Sequence, residues 1–285
     1  MRRNLTRRAS NFGIVIFALA MAQFIMTVDT TIMNVAVPTL VKDLNTTVGA
    51  VQTAITLYAL VMASLMLIGG KLGEIYGRKK MFQLGLLIYA LGSSITAIAP
   101  NIGILMIGWS ILEGIGAALM MPAMLALISI NFKKDRRALS LGIVAGVAGA
   151  AAALGPMIGG ALSTYSSWRY AFVGEVIIAL ITLFLSRFIL DAKIVNKEKL
   201  DYGGGFLIAT GLGLFVYGIL QSSTYGWIIA SRPFEIGNHQ LNLFGLSIVP
   251  FICGVGAVLI WLFFKHQISR AGKKQSLLFN IELLK

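Results

Sequence analysis

Cysteine occurs once in the 285 residues, histidine twice, and charged side chains make up only 12% of the chain. A lone Cys253 cannot close an internal disulfide, and inside an apolar run it reads as a small packing residue. His239 and His266 have no Cys, His or carboxylate neighbours at ligand spacing, so no metal site is expected. Neither Gly70-Lys71 nor Gly272-Lys273 is followed by Ser or Thr, which removes the phosphate-binding loop and with it transport driven by ATP bound to this chain. No Ser/His/Asp or Cys/His set stands out, and no paired carboxylates or His cluster mark a loop–membrane boundary; an enzyme is not expected. What the chain has instead is apolarity. With 57% hydrophobic residues and a mean hydropathy of +0.84, it is neither disordered nor a coiled coil nor a nucleic-acid-binding tail.

Eight apolar segments follow one another: about Phe12–Val37, Ala50–Gly70, Met81–Ala99, Ile102–Ile130, Ala138–Leu162, Tyr170–Ile189, Gly203–Leu220 and Leu243–Phe264. Each holds few or no charges over a length near the ~20 residues that span a bilayer. Backbone polar groups must be satisfied internally in lipid, and the segments lack the alternation of barrel strands, so the expected fold is an all-α membrane protein of about eight transmembrane helices. With the N-terminus inside, Lys42, Arg169 and Arg232 fall on the outer side and the remaining 21 of 24 Lys and Arg on the inner side. This asymmetry accounts for the net charge of +13 without nucleic acid. It places the chain in the plasma (cytoplasmic) membrane with both termini cytoplasmic. Ala18-Leu19-Ala20 lies mid-run, so the first segment is a retained helix and not a cleaved signal peptide. The expected organisation is a cytoplasmic N-terminus (1–11), a six-helix bundle (12–190), a cytoplasmic loop (191–202), two further helices (203–264) and a cytoplasmic tail (265–285).

Three acidic residues fall within the spans: Asp29, Glu113 and Glu175. An ionisable group in the membrane is costly and marks a functional site by default, against the alternative of a protonated carboxyl hydrogen-bonded to a neighbouring helix. At about 1.5 Å per residue, Asp29 lies ~22 Å from the inner end of its helix and Glu113 ~17 Å from the outer end of its own. Both depths are within or just outside the middle third of the bilayer, where transporters keep their sites. Glu175 is about a turn from a span end and is the weakest of the three. Met106, Trp109, Glu113 and Met120, spaced by three, four and seven, share one helical face. An aromatic, a carboxylate and two thioethers suit a flat lipophilic cation; an interfacial Trp with lipid-facing methionines has the same spacing. Gly142-x-x-x-Gly146 and Gly155-x-x-x-Gly159 with Pro156 fit either a tight helix pair or a hinge.

Asp29-x-Thr31-Ile32-x-Asn34-Val35-Ala36-Val37-Pro38 resembles the first-helix motif of the fourteen-helix drug:proton antiporter branch of the major facilitator superfamily. Gly70-x-Leu72-x-Glu74-x-x-Gly77-Arg78-Lys79-Lys80 is similar to that superfamily's signature loop between helices two and three. Gly155-Pro156-x-x-Gly159-Gly160, followed by Trp168-Arg169-Tyr170-x-Phe172, resembles the antiporter motif of helix five and the turn into helix six. The resemblance implies an N-terminal six-helix bundle followed by two linker helices, with access alternating around a site at the interface with a second bundle. It implies proton coupling at Asp29, a gating loop at Gly70, Glu74, Gly77 and Arg78, and an antiporter kink at Gly155, Pro156 and Gly159; Glu113, as an intramembrane carboxyl, is expected to share the proton-coupling role. No cofactor is implied beyond the proton gradient.

The sequence departs from the pattern at three places. Glu74 replaces the usual Asp. Ser110 stands where the family has Arg, and Glu113 where it has Gln. After the two further helices Ser276–Lys285 are expected to approach a ninth helix, with the second bundle expected to be missing from the 285 residues. The expected function is a proton-coupled transporter component exporting lipophilic or cationic drug-like compounds, with Met106, Trp109, Glu113 and Met120 touching substrate. Its partners are the lipid bilayer, a small-molecule substrate and a second six-helix bundle, either a self-copy or a separate chain. A non-transporting remnant or accessory membrane scaffold is the alternative.

Overall fold

The computed structural model describes residues 12–192, 200–236, 239–241, 245–272 and 276–278. Arg2, Arg3, Arg7, Arg8, Lys193, Lys197, Lys199, Lys273, Lys274 and Lys285, all expected on the inner side, lie outside the described residues. So do the expected N-terminus 1–11 and most of the expected approach to a ninth helix.

Each apolar run folds as a helix, and most helices extend beyond the run by a polar turn. They are α1 (Phe12–Asp43), α2 (Val48–Tyr76), α3 (Arg78–Ala97), α4 (Ile102–Asn131), α5 (Lys134–Tyr165), α6 (Arg169–Leu185, with a 3-10 turn Ser186–Phe188), α7 (Tyr202–Tyr225) and α8 (Val249–Gly272). Starts are fixed by side chains that accept from free N–H groups: Thr47 from Ala50, Asn101 from Ile104 and Asp201 from Gly204. Seven of the eight are long and apolar enough to cross a membrane. The exception, α3, opens on Arg78-Lys79-Lys80 and packs between α4 and α6, where Phe82, Leu86 and Tyr89 are buried; a helix enclosed by others needs less apolar surface. The eighth apolar run is corrected at its start, since α8 begins at Val249 and not near Leu243. Ahead of it, a short antiparallel hairpin pairs Phe234 with Leu241 and Ile236 with His239, an exception to the all-α expectation.

The chain divides into two compact units, Met1–Met62 with Leu72–Lys197, and Ala63–Lys71 with Glu198–Lys285. In the first, α1 and α4 form the interior. Their most apolar stretches are 56% and 61% buried, against 22% for α5, and α5 and α6 pack on α1 while α3 packs on α4 and α6. One end is held by Asp43, which accepts from Trp168 Nε1 (3.1 Å) and lies 3.8 Å from Arg169, whose guanidinium donates to Ala99 O (2.7 Å). At the other end Lys79 N donates to Asp191 (3.0 Å), Lys79 Nζ to Arg187 O (3.0 Å), and Asn131 exchanges two hydrogen bonds with the backbone of Leu190 (2.9 Å each).

In the second unit α7 and α8 meet through glycines. A side chain at Gly256 would strike the backbone of Phe215 and Gly211, and one at Gly218 would meet Cys253 Sγ at 2.5 Å. Cys253 is the small packing residue its apolar surroundings suggest. Asp201 caps α7 and also accepts from Gln267 Nε2 (2.8 Å), with Arg270 Nε at 3.3 Å and His266 Nε2 at 3.2 Å. Burial works to raise the Asp201 pKa. The Gly204 N–H, Gln267, His266 and the Arg270 charge outweigh it and hold the carboxyl below its ordinary value.

Candidate functional site: a buried carboxylate cluster

Close approach of helices builds the site. Gly92 and Gly108 face each other where α3 crosses α4; a Cβ at Gly92 would lie 2.5 Å from Gly108 O and 2.7 Å from Glu113 Cγ. Gly116 similarly faces Gly85 O, and Met120 covers Gly85. On the far side of α1, a Cβ at Gly155 would run into Thr31 Oγ1, and Gly159 rests on Ile32. The antiporter-like glycines therefore seat α5 on the turn of α1 that carries Asp29. Helix α5 continues unbroken through Pro156.

Along α4, residues Met106–Glu113 form a π-helix. The 3.6-residue spacing assumed for the Met106–Trp109–Glu113–Met120 face thus does not apply across this stretch. Its wider turn brings Gly108, Trp109, Ser110 and Glu113 to the interior. Met106 is half-buried at the edge of the core, and Met120 sits in the α3–α4 seam. The structure brings Trp109 and Glu113 together with Asp29 and leaves the two methionines as packing around them. Ser110, in the place of the family arginine, donates to Ala54 O of α2 (2.8 Å).

Asp29, Glu113 and Glu175 converge from α1, α4 and α6, each offering an oxygen within 4.8 Å of the others'. All three are at most 2% exposed. Trp109 Nε1 donates to Asp29 Oδ1 at 2.6 Å, and its ring stacks on Tyr58 with centroids 5.0 Å apart. Ser93 Oγ donates to Glu175 Oε2 at 3.4 Å, and the Tyr89 hydroxyl to Ile25 O at 3.4 Å. Among the described residues no hydrogen bond of ordinary length reaches Asp29 Oδ2, either Glu113 oxygen, Glu175 Oε1 or the Tyr58 hydroxyl. No ion pair reaches the three carboxyls among the described residues. Glu175, which sequence position ranks last, is a full member of the cluster. The pairing of acids 62 to 146 residues apart is invisible to any spacing rule.

The expected gating segment is helical nearly throughout. Gly70 and Glu74 lie in α2, Arg78 opens α3, and the connection is Gly77 alone, at φ 103°. This left-handed conformation admits glycine without strain. Glu74 and Arg78 are 3.9 Å apart.

A bundle of membrane-length helices with ionisable groups at its centre defines a multi-pass membrane protein of the transporter type. The family model of the Major Facilitator Superfamily matches residues 19–281, and the chain belongs to that superfamily. It is 32% identical over 226 residues to the methylenomycin A resistance protein of Bacillus subtilis, covering 79% of this chain and 48% of that one. It is also 32% identical over 228 residues to the puromycin resistance protein pur8 of Streptomyces alboniger, covering 79% and 45%. Among solved structures, the POT family transporter PepTSo superposes with a TM-score of 0.57 at 15% identity, covering 94% of this chain and 55% of that one, a likeness of fold alone. The chain spans about half the length of the curated relatives it matches.

Proposed function

We propose that this chain forms one half of a proton-coupled exporter of lipophilic or cationic compounds, set in the plasma membrane with its inner loops and both termini in the cytoplasm. The observation that carries the reading is the Asp29–Glu113–Glu175 cluster: acids at the centre of a membrane bundle with no Lys or Arg paired to them among the described residues. Such groups gain and lose protons more cheaply than they hold charge. Asp29, oriented by Trp109, is the proton-coupling residue, with Glu113 beside it. Trp109 and Glu113 contact the substrate's ring and charge, and Met106 and Met120 shape the wall behind them. Gly77 and the Glu74–Arg78 pair serve the gate, as does Gly70 in the adjoining helix. Gly155, Pro156 and Gly159 control how α5 moves on α1. The relatives' resistance to methylenomycin A and puromycin supports export of drug-like compounds.

Alternating access rocks one bundle against another around a site between them. The described bundle supplies one wall. A second six-helix bundle is required, whether from further length of the same polypeptide, a self-copy or a separate chain, and no cofactor beyond the proton gradient is needed. The test is energised uptake of a lipophilic cation into everted vesicles carrying the protein, in which export from the cytoplasmic face appears as accumulation inside. Asp29→Asn keeps the shape and removes the titratable proton, and should abolish proton-driven efflux; efflux at the wild-type rate would refute the role. The purified chain, reconstituted alone, should be inactive, and a monomer that exports would overturn the need for a second bundle.

A further inference from the structure

The carboxylate cluster has more unfilled acceptor capacity than a proton site requires. Asp29 and Glu175 each have one oxygen tied to the protein, by Trp109 and Ser93, and the other oxygen free and buried. Anchoring of that kind holds the free oxygen in a fixed direction, as groups behind a metal ligand do. Glu113 contributes two more free oxygens. A separate observation points the same way. The Tyr58 hydroxyl, on a residue only 3% exposed, makes no hydrogen bond of ordinary length among the described residues and lies next to Asp29, in the field of all three carboxyls, with its ring fixed by the stack on Trp109. A phenol oxygen held dry beside the carboxyls is one more oxygen available to a ligand.

We propose that Asp29, Glu113, Glu175 and the Tyr58 hydroxyl form a binding site for a dehydrated hard metal cation of sodium or calcium size. The donors are all oxygen, with no Cys or His, which selects hard ions over zinc or copper. Ligand atoms within 4.8 Å of one another suit an ion that holds oxygens at about 2.3–2.6 Å, since two oxygens on opposite sides of it stand up to about 5 Å apart. Magnesium keeps its waters and demands a near-ideal octahedron, which a dry site with three carboxylates does not provide. A carboxyl that gives up its proton in exchange for the ion supplies the attraction while the others stay protonated, and the ion supplies the counter-charge that no Lys or Arg among the described residues brings to the cluster.

This inference deepens the reading of the same cluster, but binding is measurable without transport. The purified chain in detergent, at constant ionic strength set with choline, is titrated with Na+, Ca2+ and Mg2+. Thermal unfolding and equilibrium uptake of radioactive Na+ or Ca2+ are followed. We expect one saturable site per chain for Na+ or Ca2+, a raised unfolding temperature, and little effect of Mg2+. Glu175→Gln should weaken binding at least about tenfold and Tyr58→Phe severalfold, while Asp135→Asn, on an exposed residue, should leave it unchanged. Where Glu175→Gln does not fold, Tyr58→Phe and the ion series on the native chain decide. Stabilisation by acid and by none of the cations would overturn the proposal and leave proton coupling standing. Cation binding retained in Asp29→Asn or Glu175→Gln would overturn it too. Cation binding in a protein whose efflux survives Asp29→Asn would refute proton coupling and keep the site.

Discussion

One substitution, glycine to alanine, should change sign along a single helix. In open space Gly→Ala in a helix interior gains up to about 1 kcal/mol from backbone entropy. Gly142 and Gly146 have nothing within 4 Å of an added Cβ, so Gly142→Ala and Gly146→Ala should raise the unfolding temperature by about 2–4 °C. At Gly155 the same methyl meets Thr31 Oγ1 and comes 2.7 Å from Thr31 Cβ. Thr31 has little room to yield, because its hydroxyl donates to Val28 O (2.9 Å) and Thr27 O (3.1 Å). Overpacking of this kind costs ~1–3 kcal/mol, so Gly155→Ala should lower the temperature by several degrees despite the entropy gain. Gly159, whose added Cβ would sit 3.2–3.3 Å from Ile32, should fall between them. Fluorescence-detected unfolding of the purified chain gives the order directly. If Gly155→Ala is as stable as Gly142→Ala, α5 does not sit on α1 as described. A Gly142→Ala protein that is more stable yet inactive in efflux would show that this open face meets the second bundle.

Reporter fusions after Lys80, Arg137 and Lys274 should read cytoplasmic, and fusions after Asn45 and Ser231 external; one inner site read outside would break the eight-helix topology. Glu113→Gln should reduce efflux of cationic compounds more than of neutral ones, and equal loss for both would make Glu113 a structural residue. The Asp201 carboxyl, held below its ordinary value, adds stability that is present above that value, about pH 3.9, and is lost as pH falls through its folded one. Asp201→Ala should therefore destabilise the chain at neutral pH by about 2 kcal/mol and remove this acid dependence, while a variant that unfolds like wild type at both pH values would refute the cap.

Helices were readable because lipid leaves few choices: apolar length gave eight segments, although their ends moved by up to eight residues because polar turns extend the helices beyond the apolar runs. Asp29 and Glu113 stood out by being acids in apolar runs. Three features were hidden. Residues 106–113 contain nothing that distinguishes a π-helix from an α-helix, so the shared face drawn through Met120 used the wrong period. Gly85, Gly92, Gly108 and Gly116 are ordinary small residues until α3 and α4 are paired. Glu175 looked peripheral because distance from a span end measures depth and says nothing about which neighbour a side chain meets. A signal for it was present in the count: three acids in the spans with no Lys or Arg deep in any of them have no opposite charge to meet, so each must be kept protonated or share a buried polar pocket.

The ties at the two ends of the first unit have a mechanical consequence. Asp43, Trp168, Arg169 and Ala99 clamp α1 and α6 and the α3–α4 turn at one end. Lys79, Arg187, Asp191, Asn131 and Leu190 lash α3 and α4 to the end of α6 at the other. A bundle pinned at both ends resists splaying, much as a cask is held by hoops. Displacement applied at one end then arrives at the other as rotation of the whole body, with the carboxylates near the pivot changing exposure while their mutual distances stay fixed. Cutting one hoop, for instance with Asn131→Ala, should let the helix ends fray and turn a stiff lever into a compliant one.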